Sequence, residues 1–160
     1  MLGVRWWRRR REPLRAWSRS PLYPEQDAIA NPRRCWNWFD LRSGRAAAEA
    51  ASICAGDRSD AALYPVDPRR VAVAGLSAGA SMAALLATRY PQRFTAVAMH
   101  SGVAPDARQS SATIVSAMQG RRTAAPLAVH EALPPLLIVH GSVDRVAANR
   151  NPAPRPNCGQ

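Results

Sequence analysis

A serine flanked by two glycines, placed where a short apolar run gives way to a helix-forming segment, is the feature that most constrains the fold. Gly75-Leu76-Ser77-Ala78-Gly79 follows the β-branched run Arg70–Ala74 and precedes Ala80–Tyr90, which is rich in alanine and leucine and stops before Pro91. The first run predicts a buried strand of a parallel sheet. The second predicts a helix. Together they predict a sharp strand–turn–helix unit with Ser77 at its apex.

Two further apolar runs predict that this unit belongs to an α/β sheet. Ala96–His100 and Leu136–His140 are strand candidates at a spacing that suits a mostly parallel sheet with crossover helices. Arg45–Ala55 also has a helical composition, but Gly56–Asp60 interrupts its apolar pattern and predicts a break there. The segment from residue 110 to residue 129 is ambiguous.

The turn around Ser77 has the arrangement that a nucleophilic serine needs. Gly75 and Gly79 are expected to keep the turn open, because side chains two residues to either side of the serine would clash. Ser77 Oγ would then lie at the carboxyl edge of the sheet. The main-chain N–H of Ala78, at the helix start, can help to stabilise an oxyanion. The alternative is a serine that caps an ordinary glycine-rich turn.

A serine nucleophile needs a base and a carboxylate that orients the base. Asp144 follows the third strand candidate and is the best acid; the alternative is a turn aspartate bonded to its own backbone. In the usual chain order the histidine comes after the acid. His100, His130 and His140 all precede Asp144, and the first and last of them end strands, so the sequence predicts no triad base.

Several short motifs resemble those of the polyhydroxybutyrate (PHB) depolymerase-type esterases, which are α/β-hydrolases. The resemblance runs from about Leu22 to Asn149 and rests on Tyr23-Pro24-Glu25-Gln26, Asn31-Pro32, Cys35-Trp36-Asn37-Trp38-Phe39, Val66-Asp67-Pro68-Arg69-Arg70-Val71, Gly75–Gly79, Tyr90-Pro91, His100-Ser101-Gly102 and His140-Gly141 with Asp144.

This resemblance implies a partial α/β-hydrolase with its nucleophile elbow at Gly75–Gly79. It implies hydrolysis of short-chain hydroxyalkanoate or related esters through an acyl-enzyme, with Ser77 as nucleophile and Asp144 as triad acid. The expected partner is an ester substrate, and no cofactor or metal is expected. The aromatic segment Cys35–Phe39 is assigned no chemistry; its tryptophans suit the core or a subsite, more often the core.

Three departures from the family pattern predict a chain that is truncated or frameshifted at both ends and inactive or weak as it stands. The arginine-rich stretch Met1–Pro21 replaces the family's apolar strand and oxyanion loop, which would remove one oxyanion donor. Gly56–Asp60 is expected to break the preceding helix. A ten-residue tail replaces the segment that bears the family's histidine.

The charge distribution separates the ends of the chain from its middle. All basic residues are arginines, and the first 20 residues carry seven of them against one acid, Glu12, so they hold +6 of the net charge of +11. We predict a basic Arg/Trp tail over residues 1–20, a partial α/β-hydrolase domain over residues 21–150 and a proline-rich tail over residues 151–160. The basic tail is expected to be disordered, as charge runs often are. The alternative function is nucleic-acid or anionic-lipid binding by the first tail.

Localisation and redox state follow less directly from the residues. The arginines near the N-terminus are not followed by the apolar segment that a secretory signal needs, so the sequence as given predicts a cytoplasmic protein. The family resemblance instead implies an extracellular one. No run approaches the roughly 18 apolar residues of a membrane-spanning helix. Cys35, Cys54 and Cys158 have no metal-ligand spacing; one disulfide and one free thiol fit their number, with no pair favoured.

Overall fold

The computed structural model describes residues 5–7, 21–63, 66–106, 110, 112–121, 132–144 and 146–147, with the backbone alone for residues 5–7 and 60–63. The elements in chain order are β1 (Arg5–Trp7), β2 (Tyr23–Glu25), α1 (Arg45–Leu63), β3 (Ala72–Leu76), α2 (Ala78–Arg89), a 3₁₀ turn (Pro91–Arg93), β4 (Ala96–His100), α3 (Ile114–Met118) and β5 (Leu136–Val139). His130, Cys158 and the predicted tail at 151–160 lie outside the described residues.

A three-stranded parallel sheet in the order β3-β4-β5 forms the centre of the molecule. Its register pairs Leu76 with His100 and His100 with Val139, so the carboxyl ends of the three strands lie side by side. The predicted α/β class and parallel sheet are therefore confirmed. The first strand begins and ends two residues later than predicted and includes Gly75 and Leu76.

Helix α2 covers one face of this sheet. Its residues 80–87 are all buried, and its alanines pack against Val97 and Met99 of β4. Small side chains let the helix axis approach the strands closely. On the far side of α2, Met82, Leu85 and Leu86 join a second cluster that includes Trp38 and the buried face of α1.

The prediction that the first strand is buried is wrong. The side chains of β3 alternate between half-buried and exposed, and Leu76 is 65% exposed. In β3, the exposed side chains are those of every second residue. Alternation of this kind is the pattern of a sheet with one covered face.

The predicted break at Gly56–Asp60 is also wrong, because α1 continues through it to Leu63. A glycine inside a helix costs about 1 kcal/mol relative to alanine. Here the helix is supported by contacts that are distant in sequence: the Asp57 carboxylate pairs with the Arg93 guanidinium in the 3₁₀ turn after α2, and Cys54 is buried in the core. The Ser59 hydroxyl also bonds the carbonyl of Ala55.

Part of the predicted N-terminal tail forms a strand. The backbone of Arg5–Trp7 pairs antiparallel with Tyr23–Glu25, with Arg5 opposite Glu25. Tryptophan has a high strand propensity, which helps to explain this pairing. For these three residues the prediction of a disordered tail is wrong, and the predicted domain limits stay predictions.

Among the described residues no helix is both long enough and apolar enough to cross a membrane.

Candidate active site

Ser77 stands at the apex of the turn between β3 and α2, as predicted. Its φ of 53° lies in the left-handed region that favours glycine, and its side chain is exposed. The main chain is fixed on both sides: Ser77 N donates to His100 O at 2.9 Å, and Ser77 O accepts from Ala80 N and Ser81 N. A strained backbone held by its surroundings is typical of functional positions.

The hydroxyl of Ser77 does not cap the helix. Ser77 occupies the N-cap position of α2 but makes no side-chain capping hydrogen bond. A serine that served as an ordinary cap would accept a hydrogen bond from an N–H of the first helical turn. The geometry therefore disfavours the capping alternative and leaves Oγ available for chemistry.

The two glycines of the turn differ in their importance. A Cβ on Gly75 would overlap the carbonyl group of Gly79 and lie 2.5 Å from Ala80 N, so no side chain fits there. A Cβ on Gly79 would meet only Trp36 Cδ1, at 4.0 Å, which is an ordinary contact. The expected steric need for glycine is confirmed at Gly75 and is wrong at Gly79.

Ala78 is the first residue of α2, immediately after the serine. The N–H groups of the first helical turn have no acceptor within the helix, and they carry the positive end of its dipole. This position is the one predicted for an oxyanion donor, and the role itself stays a prediction.

Asp144 lies in the loop that follows β5, at the same edge of the sheet as Ser77. Its Oδ1 accepts hydrogen bonds from Val146 N and Ala147 N, both at 2.9 Å. This oxygen therefore behaves as in the alternative interpretation, a turn aspartate bonded to its own backbone. Its Oδ2 lies 3.5 Å from His140 Nε2. Neighbouring strands are about 4.8 Å apart, so the ends of β3 and β5 are separated by roughly 10 Å.

The pKa of Asp144 lies below its ordinary value of 3.8. The largest causes are the hydrogen bonds from Ala147 N and Val146 N, followed, after an opposing effect of burial, by one from the Ser101 side chain and by the charge of His140. The hydrogen bonds and the charge of His140 favour the ionised form of the carboxyl group, whereas burial favours the neutral form. The carboxylate is thus suited to hold a positively charged base.

His100 and His140, the two histidines within the described residues, both lie at the carboxyl ends of strands. The carbonyl of His100 accepts Ser77 N–H, and its side chain is exposed at the end of β4. His140 Nε2 donates to Ala147 O at 2.6 Å and so closes the Asp144 loop. No hydrogen bond joins either of these two imidazoles to the Ser77 hydroxyl, and the lack of a triad base stays a prediction.

The motifs at residues 26–37 form a polar network with helix α1. Glu49 of α1 is 1% exposed, and its carboxylate accepts Asn37 N at 2.8 Å and Asn37 Nδ2 at 2.6 Å. Asn37 in turn accepts Asn31 Nδ2, and Gln26 Nε2 donates to Cys35 O. The buried carboxylate was missed from the sequence, where Glu49 looks like an ordinary surface residue of a helix.

This network places the aromatic segment between the core and the elbow. Trp38 is buried and meets Phe39 edge to face at a centroid distance of 5.9 Å. Trp36 is half-buried beside Gly79. The expectation of core packing is confirmed for Trp38. Cys35 and Cys54 are free thiols, and no group of three or more metal-binding side chains occurs among the described residues.

Comparison with known proteins identifies the family. The family model for PHB depolymerase esterases matches residues 15–154. The chain belongs to this family. Poly(3-hydroxyalkanoate) depolymerase C of Paucimonas lemoignei is 39% identical over 84 residues, which are 51% of this chain and 20% of the relative. The chain therefore spans about a fifth of the length of that curated relative.

A solved structure shows the fold. The acetyl xylan esterase from Aspergillus awamori superposes with a TM-score of 0.67 and 23% sequence identity, over 81% of this chain and 53% of that one. The parallel sheet and its helices are thus part of an α/β-hydrolase fold, as the motifs implied.

Proposed function

We propose that this chain carries the nucleophile and the acid of a serine carboxylic-ester hydrolase. The observation that supports this most strongly is Ser77 itself: an exposed serine with a left-handed backbone, between a strand and a helix, whose hydroxyl does not cap the helix. Family membership agrees with ester hydrolysis.

In the proposed reaction Ser77 Oγ attacks the ester carbonyl carbon while a base accepts its proton. The alcohol leaves with a proton from that base, and an acyl-enzyme remains on Ser77. Ala78 N–H, at the start of α2, stabilises the oxyanion. Water then attacks the acyl group, and the acid is released.

Asp144 is the proposed carboxylate that orients the base. Its pKa is lowered by hydrogen bonds, so it stays ionised at neutral pH and can hold an imidazolium. No histidine follows Asp144 in the 160 residues. Since a hydrolase without one triad member retains only about 10³–10⁴-fold catalysis over water, we expect little hydrolysis by this chain alone.

The proposed substrate class is short-chain hydroxyalkanoate esters. The support is the family match and the relative that is named as a poly(3-hydroxyalkanoate) depolymerase. An extracellular location is proposed on the family resemblance alone. Nucleic-acid or anionic-lipid binding by residues 1–20 stays the alternative, which predicts salt-sensitive binding that is lost when those residues are removed.

Chemical rescue tests the proposed nucleophile with a base supplied from solution. The chain is incubated with p-nitrophenyl butyrate, with and without imidazole, beside its Ser77→Ala variant, and the acyl adduct is located by mass spectrometry. We expect an imidazole-dependent butyryl adduct on Ser77, and the variant supplies the background of imidazole itself. Equal release of p-nitrophenol by both proteins, with no adduct on Ser77, would refute the proposed nucleophile.

A further inference from the structure

We infer that Trp36 is a specificity-determining residue, whose indole forms an apolar wall beside the nucleophile turn and packs against the hydrocarbon chain of the acyl group. The inference rests on the proposed function, in which Ser77 carries that acyl group. Trp36 lies in the loop between β2 and α1, which brings it to the first turn of α2.

The indole of Trp36 bounds an open space beside the serine. Gly79 is the second residue of α2 and lies two residues after Ser77. A Cβ on Gly79 would lie 4.0 Å from Trp36 Cδ1, and, apart from its neighbours in the chain, no other described side chain comes within that distance. The glycine therefore leaves room for ligand atoms between the helix and the indole. This room is next to the position at which an acyl group would be bonded to Ser77.

Trp36 is held at the surface of the core rather than inside it. Its ring packs against the cluster that includes Trp38 and the buried face of α1, and Ala78 packs against the same cluster. Trp38 is 4% exposed, whereas Trp36 is only half-buried. Part of the indole thus remains open to solvent at the end of α2 that bears Ser77. Small-molecule sites are lined mainly by hydrophobic and aromatic side chains, so this surface suits an apolar group of a substrate.

The residues on either side of Trp36 are fixed by hydrogen bonds. Cys35 O accepts a hydrogen bond from Gln26 Nε2 at 3.5 Å. Asn37 N and Asn37 Nδ2 donate to the carboxylate of Glu49, which is 1% exposed. The backbone that carries the indole is therefore set before a substrate arrives, so little conformational freedom is lost when an acyl chain packs against it.

An apolar wall at this place selects between acyl groups by their length. The carbonyl carbon of the acyl group is bonded to Ser77 Oγ, so its hydrocarbon chain begins within a few bonds of the turn. Burying one methylene group is worth about fourfold in binding. A butyryl group has two methylene groups that an acetyl group lacks, so full enclosure would favour it by about 15-fold. One wall covers about half of the chain's surface, which leaves a preference of about fourfold for Trp36 to supply.

The experiment is a competition between two esters for Ser77 in the full chain. Equal concentrations of p-nitrophenyl acetate and p-nitrophenyl butyrate are added with imidazole, and the butyryl and acetyl adducts on Ser77 are quantified by mass spectrometry at early times. The ratio of the two adducts does not depend on how much of a variant is folded, because unfolded chains form neither. The variants are Trp36→Ala and Trp36→Phe. Phe39→Ala is the matched control, because Phe39 belongs to the same loop and packs against the same cluster, and its ring meets that of Trp38.

We expect the ratio of butyryl to acetyl adduct to fall by about fourfold in Trp36→Ala. Trp36→Phe should restore most of it, since a phenyl ring keeps most of the apolar wall, and Phe39→Ala should leave it unchanged. An unchanged ratio in Trp36→Ala overturns the inference. An equal fall in Phe39→Ala also overturns it, because the packing of the loop, and not the indole, would then set the preference.

A binding measurement separates this inference from the proposed function. Ethyl butyrate is added to the parent chain without imidazole, and a nuclear Overhauser effect is sought between the butyryl methyl protons and the Cδ1 proton of Trp36, which is assigned by its loss in Trp36→Phe. We expect the effect to be present. Its presence without any adduct on Ser77 refutes the proposed nucleophile but supports the wall. Adducts on Ser77 with no such effect, and with a ratio that does not depend on Trp36, refute the wall alone.

Discussion

Alanine should have opposite effects on stability at the two glycines of the turn around Ser77, destabilising at Gly75 and stabilising at Gly79. In Gly75→Ala the new methyl group would overlap the Gly79 carbonyl and lie 2.5 Å from Ala80 N. These atoms are main chain at the start of α2, so they cannot rotate away. In Gly79→Ala the methyl group would meet only Trp36 Cδ1, at 4.0 Å.

The expected magnitudes follow from these distances. Overpacking usually costs about 1–3 kcal/mol, and a clash with rigid backbone belongs at or above the upper end of that range. Gly79→Ala should instead stabilise by up to about 1 kcal/mol, because alanine favours the helix. The two variants should therefore differ by about 4 kcal/mol. For a domain of this size, a loss of 3 kcal/mol lowers Tm by roughly 6–12 °C.

Urea unfolding followed by tryptophan fluorescence measures both variants against the parent chain. The slope of the transition should stay constant while the midpoint moves, which identifies a change in stability rather than in compactness. The reasoning would be refuted if Gly75→Ala unfolded within about 1 kcal/mol of the parent, or if the two variants were equally destabilised.

Three other predictions concern charge and burial. The pKa of Asp144 is lower in the folded chain than in the unfolded chain. The ionised carboxylate therefore stabilises the fold fully at pH values above the unfolded pKa, and this contribution is lost as the pH falls through the folded pKa. In Asp144→Asn, the free energy of unfolding should fall less steeply at acidic pH than in the parent chain. Glu49→Ala removes two hydrogen bonds, from Asn37 N and from Asn37 Nδ2, and leaves Nδ2 only its bond to Ala30 O; it should cost about 1–3 kcal/mol for each lost bond, measured by urea unfolding. Glu49→Gln keeps one acceptor and should cost less. Burial raises the pKa of the Cys54 thiol, so iodoacetamide should label exposed Cys35 in the folded chain and Cys54 only after unfolding, as read by peptide mass spectrometry.

Each of these has a contrary outcome. An acid limb unchanged in Asp144→Asn would show that the carboxylate is equally stabilised in the unfolded chain. Equal costs for the two Glu49 variants would show that volume, and not the lost acceptor, controls stability there. Equal labelling rates for the two cysteines would contradict the burial of Cys54.

Local patterns predicted the centre of the fold. The β-branched run, the glycines and the alanine-rich segment define β3, the turn and α2 from nearest neighbours alone, and Ala96–His100 forms β4 with the predicted bounds. The carboxyl-edge placement of Ser77 and Asp144 follows from the parallel register of the strands.

Features that depend on distant partners could not be predicted. The helix passes Gly56 because Asp57 meets Arg93, 36 residues later. Glu49 is buried because Asn37 satisfies it, and nothing near Glu49 in the sequence indicates that partner. The left-handed backbone of Ser101 was not predicted either, since Ser101 N donates to Val139 O of β5, a strand that is distant in the sequence.

The contact between Gly102 and Ala80 limits how such a site can diversify. A methyl group at residue 102 would lie 2.6 Å from the Ala80 side chain, so neither position tolerates enlargement while the other is kept. Enlarging either one would push the first turn of α2, which begins at Ala78, away from the sheet. A library that holds residues 80 and 102 constant and varies the loops at the strand ends should therefore yield more folded variants than one that randomises these two positions.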